Sequence, residues 1–132
     1  MTGHLVLTTL HSRDALTVIQ RLKNLGISAD LLSETLNLIV SQKLVRRLCR
    51  HHRREKNCRN CRGTGYHGRT PLYEILHLSH DLSDHIRENV SDPALLEGVE
   101  GVYFRGMKET AGLLLEQRIT DKKELRPHLE GF

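Results

Sequence analysis

Three cysteines and a histidine lie close together in a basic stretch of the chain and have the spacing of metal ligands. Cys49 is separated by two residues from His52, and Cys58 is separated by two residues from Cys61. These two pairs offer three thiolates and one imidazole, a ligand set typical of tetrahedral zinc. Because four protein ligands leave no coordination position open, the spacing predicts a structural zinc ion rather than a catalytic one.

Two alternatives to this ligand set stay open on the sequence alone. His51 competes with His52 as the fourth ligand, although the two-residue spacing from Cys49 favours His52. The second alternative is that Cys58 and Cys61 bind no metal and are exposed thiols or a redox pair, as in thioredoxin-like proteins. A redox pair of that kind opens a helix, whereas a turn-like Gly-Thr-Gly sequence follows here. Three cysteines cannot all pair with one another, so the sequence indicates a reducing compartment.

A second group of chemically capable residues lies near the start of the chain. His4 and His11 bracket a short apolar run, and Thr8 and Thr9 lie near its end. This run contains β-branched residues and predicts a strand that is buried on both faces. Since open α/β sheets bind ligands at the carboxyl ends of their strands, that location suits a binding site. A lone histidine at a strand end is more often an ordinary surface residue, so both interpretations remain.

Two predicted helices lie between the histidine segment and the cysteine cluster. After His11, an apolar stripe predicts a helix that Ser12 or Asp14 caps. Gly26 ends this helix, and Ser28 begins another. The buried stripe of the first helix is predicted to contain Ala15, Val18, Ile19, Leu22 and Leu25. That of the second is predicted to contain Leu32, Leu36, Ile39 and Val40.

Two strands are predicted to flank the cysteine cluster. Val45 and Leu48 fit a short strand before it, and residues 70–76 fit a strand after it, so the cluster would lie on a hairpin-like excursion. Further along, the pattern becomes helical. Helices are predicted over residues 82–86, 92–99 and 107–117, and from residue 120 onward. Asp121 and Glu124 would place carboxylates near the N-terminus of the last helix.

Composition and charge limit the classes of function. A chain of 132 residues with 38% hydrophobic content buries one modest core. The formal net charge is +4, and the basic residues cluster within residues 46–62. No aromatic side chains interleave with these arginines to stack on bases, which argues against nucleic acid as the partner, whereas an anionic phospholipid surface suits them better.

Targeting signals are also lacking in the sequence. No apolar run approaches the roughly 20 residues that a transmembrane helix requires. No basic and apolar signal segment precedes the first predicted strand. So abrupt a start is expected of a piece trimmed from a longer protein.

Residues 2–15 closely resemble the histidine box of the type II secretion and type IV pilus assembly ATPases, a branch of the P-loop motors. The resemblance continues in the family's order through residues 42–49, the cysteine pairs, residues 64–70 and residues 72–74. The tail matches only loosely. The family usually has a cysteine where this chain has His52, which is an equally acceptable zinc ligand.

The resemblance implies an α/β fold in three parts. Residues 1–48 would be the C-terminal part of a RecA-like P-loop NTPase core, residues 49–69 a zinc-binding loop, and residues 70–132 a strand with a C-terminal helical segment. The parent would be a cytoplasmic ring hexamer, peripheral at the inner membrane, that hydrolyses ATP with Mg²⁺. His4 and His11 would sense or assist departure of the terminal phosphate, and Thr8 and Thr9 would link that signal to the sheet.

The resemblance also implies partners: neighbouring subunits, inner-membrane platform and adaptor proteins, and anionic phospholipid. The sequence contains no glycine-rich phosphate-binding loop with its lysine. We therefore expect the chain alone to be inactive, although its parent would be an ATPase. The alternative hypothesis is a zinc-stabilised binding module that contacts an anionic membrane surface, a partner protein or nucleic acid. Secretion, piliation and DNA uptake are not distinguished by these motifs.

Overall fold

The computed structural model describes residues 3–52, 58–78 and 102–129. Over these ranges the chain forms a three-stranded sheet with helices packed against it, which confirms the predicted α/β class. The helices predicted over residues 82–86 and 92–99 lie outside the described residues. Among the helices that are described, none has the length and apolar character needed to cross a membrane.

The elements follow one another in a simple order. They are α1 (Ala15–Asn24), α2 (Ala29–Thr35), β1 (Leu38–Leu48), β2 (Tyr66–Leu78), β3 (Val102–Arg105), α3 (Met107–Glu116), α4 (Lys122–Leu125) and a final 3-10 turn (Arg126–His128). The two helices predicted near the C-terminus are therefore present as α3 and α4.

The first two helices begin at the predicted caps. The Asp14 carboxylate accepts a hydrogen bond from the Thr17 backbone N–H at 2.8 Å, and the Ser28 hydroxyl accepts one from the Leu31 backbone N–H at 3.3 Å. Gly26, with a φ of 91°, follows the end of α1 in a left-handed conformation that suits glycine. Local capping chemistry thus defines the limits of α1 and the start of α2.

The second helix ends earlier than predicted. Leu36 caps α2 with an extended ψ of 110°, and both Ile39 and Val40 lie in β1 instead of on a helix. Their β-branched side chains favour the extended backbone. Ile39 is buried and Val40 is 51% exposed, because consecutive residues of a strand face opposite sides. The predicted helical stripe was therefore wrong at Ile39 and Val40, whereas Leu36 packs against the core as predicted.

The sheet is built on a long antiparallel hairpin. β1 pairs with β2 from Leu38 opposite His77 to Leu48 opposite Tyr66, with a bulge after Arg46. β3 pairs antiparallel with the other edge of β2, which makes β2 the central strand. The two strands predicted around the cysteines are confirmed, and both are longer than expected. The cysteine cluster lies at the tip of this hairpin.

The segment before α1 does not form the buried strand that its sequence predicted. Leu5, Val6 and Leu7 are 85%, 75% and 88% exposed, and the described sheet contains no strand from this segment. A strand buried on both faces needs neighbours that accept and donate its backbone hydrogen bonds. Because none of the described strands pairs with residues 3–12, their apolar side chains remain in contact with solvent.

Two apolar clusters lie side by side along β2. The first consists of Ala15, Leu16, Leu32, Ile39, Leu76 and Leu78. The second consists of Val45, Leu72, Met107, Ala111, Leu114, Leu125 and Leu129. Leu72 and Leu76 are fully buried and belong to different clusters, so β2 joins α1 and α2 to the C-terminal helices. Leu25, which was predicted on the buried stripe, is 65% exposed because it lies at the C-cap of α1.

Candidate functional site

Three cysteine side chains converge at the tip of the hairpin. Cys49, Cys58 and Cys61 are buried, and their Sγ atoms all lie within 4.8 Å of one another. The Sγ atoms of Cys49 and Cys58 are 3.7 Å apart, far beyond the roughly 2.05 Å of a disulfide. Two thiolates bound to one tetrahedral zinc ion at about 2.3 Å would lie about 3.8 Å apart. The separation of this pair therefore suits a shared metal ion.

His52 supplies a nitrogen atom beside the Cys61 sulfur. Its Nδ1 atom lies 3.3 Å from Cys61 Sγ, close to the roughly 3.5 Å that usual Zn–N and Zn–S bond lengths imply in a tetrahedral site. His51 is exposed. The structure thus brings the three predicted cysteines within 4.8 Å of one another and places His52 beside Cys61, outside that group. These four side chains have the donor chemistry of a closed Zn²⁺ site.

A tight turn after the second cysteine pair holds the cluster together. The Thr64 hydroxyl donates a hydrogen bond to the Cys61 carbonyl oxygen at 2.6 Å, and the Cys49 backbone N–H donates one to the Gly65 carbonyl oxygen at 2.7 Å. Gly65 has a φ of 81°, and a Cβ atom added there would meet the His52 ring at 3.7 Å. The turn at residues 64–65 is therefore hydrogen-bonded both to Cys61 and to Cys49, one residue from each ligand pair.

Hydrogen bonds at the cluster favour the thiolate form of Cys61. Burial by itself raises the pKa of this thiol, but hydrogen bonds from the Gly65 backbone N–H and from His52 outweigh burial and lower the pKa to about 7. The pKa of the Cys58 thiol is raised overall. The hydrogen bond from the Cys61 backbone N–H lowers this pKa, but the combined effect of burial and the neighbouring thiols is larger and raises it. Since zinc binds thiolates, an easily ionised Cys61 suits metal binding.

A polar seam fixes the C-terminal segment against the hairpin next to the cluster. The Leu48 backbone N–H donates to the Ile119 carbonyl oxygen at 2.8 Å. The Tyr66 hydroxyl donates to Asp121 Oδ2 at 2.8 Å. Burial and the neighbouring Asp121 carboxylate raise the pKa of Tyr66 to about 12, so its hydroxyl remains a donor. The base of the cysteine loop is therefore attached to the C-terminal segment.

Exposed basic side chains are frequent in the sequence on both sides of the cysteine pairs. The exposed arginines in this part of the structure are Arg47, Arg50, Arg59, Arg62 and Arg69. Arg46 differs from them because its guanidinium forms an ion pair with Glu124 at 2.6 Å. Arg53 and Arg54, which belonged to the predicted cationic surface, lie outside the described residues.

Three of the four histidine-box residues border a single groove. Thr8, Thr9 and His11 line a cavity of about 530 Å³, whose other walls come from α1 and from the first half of β1. His11 is exposed beside this groove. His4 is also exposed and is not among the residues that line it. The structure therefore groups Thr8, Thr9 and His11, and leaves His4 apart from them.

Glu74 is a polar residue whose chemistry the sequence analysis did not interpret. Its Oε1 atom accepts a hydrogen bond from the Ala15 backbone N–H at 2.6 Å, and it borders a second cavity of about 600 Å³ that Lys43 also lines. Burial raises the pKa of the Glu74 carboxyl. One feature of the sequence could have identified it: Glu74 is the single carboxylate in β2 and lies between the apolar residues Leu72 and Leu76.

Comparison with known proteins supports the resemblance on which the sequence analysis drew. The family profile described as type II/IV secretion system protein matches residues 1–126. The chain belongs to the type II/IV secretion system protein family. The predicted relationship to type II secretion and type IV pilus ATPases is thereby confirmed.

This type II/IV secretion system protein has relatives with several assigned roles. It is 34% identical over 116 residues to the type II secretion system protein HxcR of Pseudomonas aeruginosa, covering 83% of this chain and 25% of that protein. It is 31% identical over 145 residues to the protein transport protein HofB homolog of Escherichia coli, covering 94% and 31%. It is 26% identical over 152 residues to the type IV pilus assembly ATPase PilB of Acinetobacter baylyi, covering 94% and 26%. The chain spans about a quarter to a third of the length of these relatives.

Proposed function

We propose that this chain is the C-terminal part of a hexameric ATPase that powers type II protein secretion or type IV pilus assembly. The observation that carries the proposal is the family match over residues 1–126, in which Thr8, Thr9 and His11 share one groove. Residues 1–48 would complete a RecA-like domain whose phosphate-binding loop belongs to the rest of the parent protein. Residues 49–69 would be its zinc loop, and residues 70–132 would contribute most of β2, β3 and a helical segment.

His11 is the residue that we assign to the terminal phosphate of ATP. Phosphoryl transfer depends on groups that are positioned to stabilise charge on the departing phosphoryl oxygens, and an imidazole donates a hydrogen bond or carries a positive charge there. Its exposure at the groove leaves it accessible to a nucleotide held by other parts of the parent. His4 would assist from outside the groove, and Thr8 and Thr9 would link the signal to the sheet.

The cysteine cluster has a structural role in this proposal. Cys49, His52, Cys58 and Cys61 hold one Zn²⁺, which fixes the tip of the hairpin, where the buried cluster that the structure describes consists of the three cysteines. Because four protein ligands fill the coordination sphere, no position is open for a substrate or a catalytic water. The assembled machine would work at the cytoplasmic side of the inner membrane with neighbouring subunits, a platform protein and adaptor proteins.

Site-directed substitution in the complete gene product tests the catalytic assignment. The His11→Ala variant is expected to lower kcat for Mg²⁺-dependent ATP hydrolysis by at least about 100-fold and to leave the KM for ATP nearly unchanged. His67→Ala, at an exposed position of β2, is the matched control. Wild-type turnover by the His11→Ala hexamer would refute the assignment. Magnesium-dependent turnover by the 132-residue chain alone would also contradict the proposal.

A second candidate function is binding of an anionic phospholipid by the basic surface around the cluster. Arg50, Arg59 and Arg62 are exposed there, and basic residues are attracted to anionic headgroups by about 1 kcal/mol each near a membrane surface. Cosedimentation with phosphatidylglycerol vesicles tests this, with phosphatidylcholine vesicles as the control. The triple variant Arg50→Ala, Arg59→Ala and Arg62→Ala should bind less. Salt-dependent retention on DNA without vesicle binding would favour nucleic acid instead.

A further inference from the structure

Glu74 lies where β2 meets the first residues of two helices. Its Oε1 atom accepts a hydrogen bond from the Ala15 backbone N–H at 2.6 Å, and Met107 lines the same cavity as Glu74. Ala15 opens α1 and Met107 opens α3. The first N–H groups of a helix lack partners within the helix and attract negative charge. A carboxylate on the central strand therefore satisfies the first N–H group of α1, 59 residues away in the sequence, and lies on the same cavity as the start of α3.

Ser41 holds the same turn from the neighbouring strand. Ser41 and Glu74 are direct partners in the β1–β2 pairing, so their side chains project from the same face of the sheet. The Ser41 hydroxyl lies 3.5 Å from the Arg13 carbonyl oxygen, a weak contact, whereas the Glu74 bond to Ala15 is short. Of these two residues, Glu74 thus provides the stronger attachment between the sheet and residues 13–15.

This attachment is close to the histidine that the proposed function assigns to ATP. His11 lies four residues before Ala15, and residues 3–12 contain no helix or strand that would hold it independently. Asp14 caps α1 but belongs to the same turn, so it orders the turn without joining it to the sheet. We propose that Glu74 is a positioning residue for His11, because it fixes the turn that carries this histidine to the β1–β2 hairpin. The inference rests on the proposed function of His11.

The strand that carries Glu74 also begins at the cysteine cluster. β2 begins at Tyr66, next to the cysteine cluster, and reaches Glu74 eight residues later. At about 3.3 Å per residue, one strand spans roughly 26 Å between the cluster and the anchor of His11. A change in the cysteine loop and a change at the histidine box would therefore act on the same strand.

Nuclear magnetic resonance on the 132-residue chain tests the positioning step without any nucleotide. In Glu74→Ala, amide exchange at Ala15 should accelerate at least tenfold, and the ¹⁵N relaxation of residues 11–15 should show increased motion. Exchange at Leu114, in the second apolar cluster, should stay unchanged. Glu74→Gln retains a side-chain oxygen acceptor and should behave more like wild type. Glu116→Ala, at an exposed position at the end of α3, is the control.

Two results of this experiment would overturn the inference. One is wild-type exchange at Ala15 in Glu74→Ala. The other is equal acceleration at Ala15 and Leu114, because that would make Glu74 a general stabiliser of the fold. If Glu74→Ala does not fold, Glu74→Gln keeps the test decisive. Its neutral amide oxygen is a weaker acceptor than the carboxylate, so exchange at Ala15 should accelerate by less than about tenfold while exchange at Leu114 stays unchanged. Wild-type exchange at Ala15 in this variant would refute the inference.

Turnover in the complete gene product separates this inference from the proposed function. Glu74→Ala should lower kcat with an unchanged KM for ATP, and it should add little further loss to His11→Ala. If His11→Ala lowers kcat and Glu74→Ala does not, the positioning role is refuted. If neither variant lowers kcat but the motion at residues 11–15 increases, the attachment stands and the catalytic assignment of His11 fails.

Discussion

Glu124 accepts three hydrogen bonds from Arg46, across 78 residues of sequence. The Arg46 backbone N–H donates to Oε1 at 2.9 Å, and the guanidinium Nε and Nη2 donate to Oε2 at 2.8 and 2.6 Å. The Glu124 side chain is 10% exposed, whereas that of Arg46 is 53% exposed and lies over the Tyr66 ring at 4.2 Å from its centroid. The C-terminal segment thereby covers part of the outer edge of β1, where an unpaired backbone would otherwise face solvent.

Removal of the Glu124 carboxylate should destabilise the fold. We expect Glu124→Ala to lower the free energy of unfolding by about 1–3 kcal/mol, because the Arg46 backbone N–H loses its partner in a partly buried position. Glu124→Gln should lose less, since its amide oxygen still accepts a hydrogen bond. Urea denaturation monitored by circular dichroism measures the difference. The prediction fails if Glu124→Ala has the same midpoint as the exposed-site control Glu116→Ala.

The same carboxylate should contribute to the pH dependence of stability. Hydrogen bonds from Arg46 lower the pKa of Glu124 below its usual 4.5, against the opposing effect of burial. The folded state therefore binds fewer protons than the unfolded state between the lowered pKa and 4.5, and stability rises with pH over that window. The stabilisation is complete above the unfolded value and is lost as the pH falls through the folded pKa.

A comparison of variants isolates this effect of pH. The difference in unfolding free energy between wild type and Glu124→Gln should be largest near neutral pH and should shrink as the pH falls below 4.5. Chemical denaturation at a series of pH values from 7 to 3 measures it. A difference that stays constant over this range would show that the ionised form of Glu124 contributes nothing.

Zinc removal should unfold the tip of the hairpin. Because Cys49, Cys58 and Cys61 are buried without disulfides, the metal would supply folding free energy that an apolar core does not. The reduced chain should purify with about one zinc ion, and a chelator should lower its thermal midpoint. Cys58→Ser should reproduce the chelated state. Absence of stoichiometric zinc from freshly purified, reduced protein would contradict the proposed site.

The fourth ligand can be identified by paired histidine substitutions. His52→Ala should weaken zinc binding at least about tenfold, whereas His51→Ala should leave it unchanged, since only His52 contacts Cys61 at 3.3 Å. His52→Cys should retain the metal, because a thiolate is an equally good zinc ligand. Competition with a chromophoric chelator gives the affinities. An equal loss of zinc affinity in His51→Ala and His52→Ala would contradict the assignment of His52 as the fourth ligand.

The sequence by itself determined features that depend on neighbours along the chain. Ser28 could be identified as a helix cap, and Asp14 as one of two candidates with Ser12, because a cap bonds to N–H groups only a few residues away. The cysteine pairs could be identified as one candidate site because their ligands are separated by short turns. The strands on either side of the cluster were also predicted, since their pairing begins at the loop that joins them.

Tertiary structure decided the features that depend on distant partners. The Glu74 bond to Ala15 joins residues 59 apart, and no local pattern indicates which helix a strand carboxylate will meet. Apolar character alone suggested that residues 4–10 were a buried strand, but burial requires paired neighbours, and the described sheet does not provide them. Short-range spacing therefore predicted the caps and the candidate metal ligands, whereas packing across the sheet decided which strand residue binds the turn that follows His11.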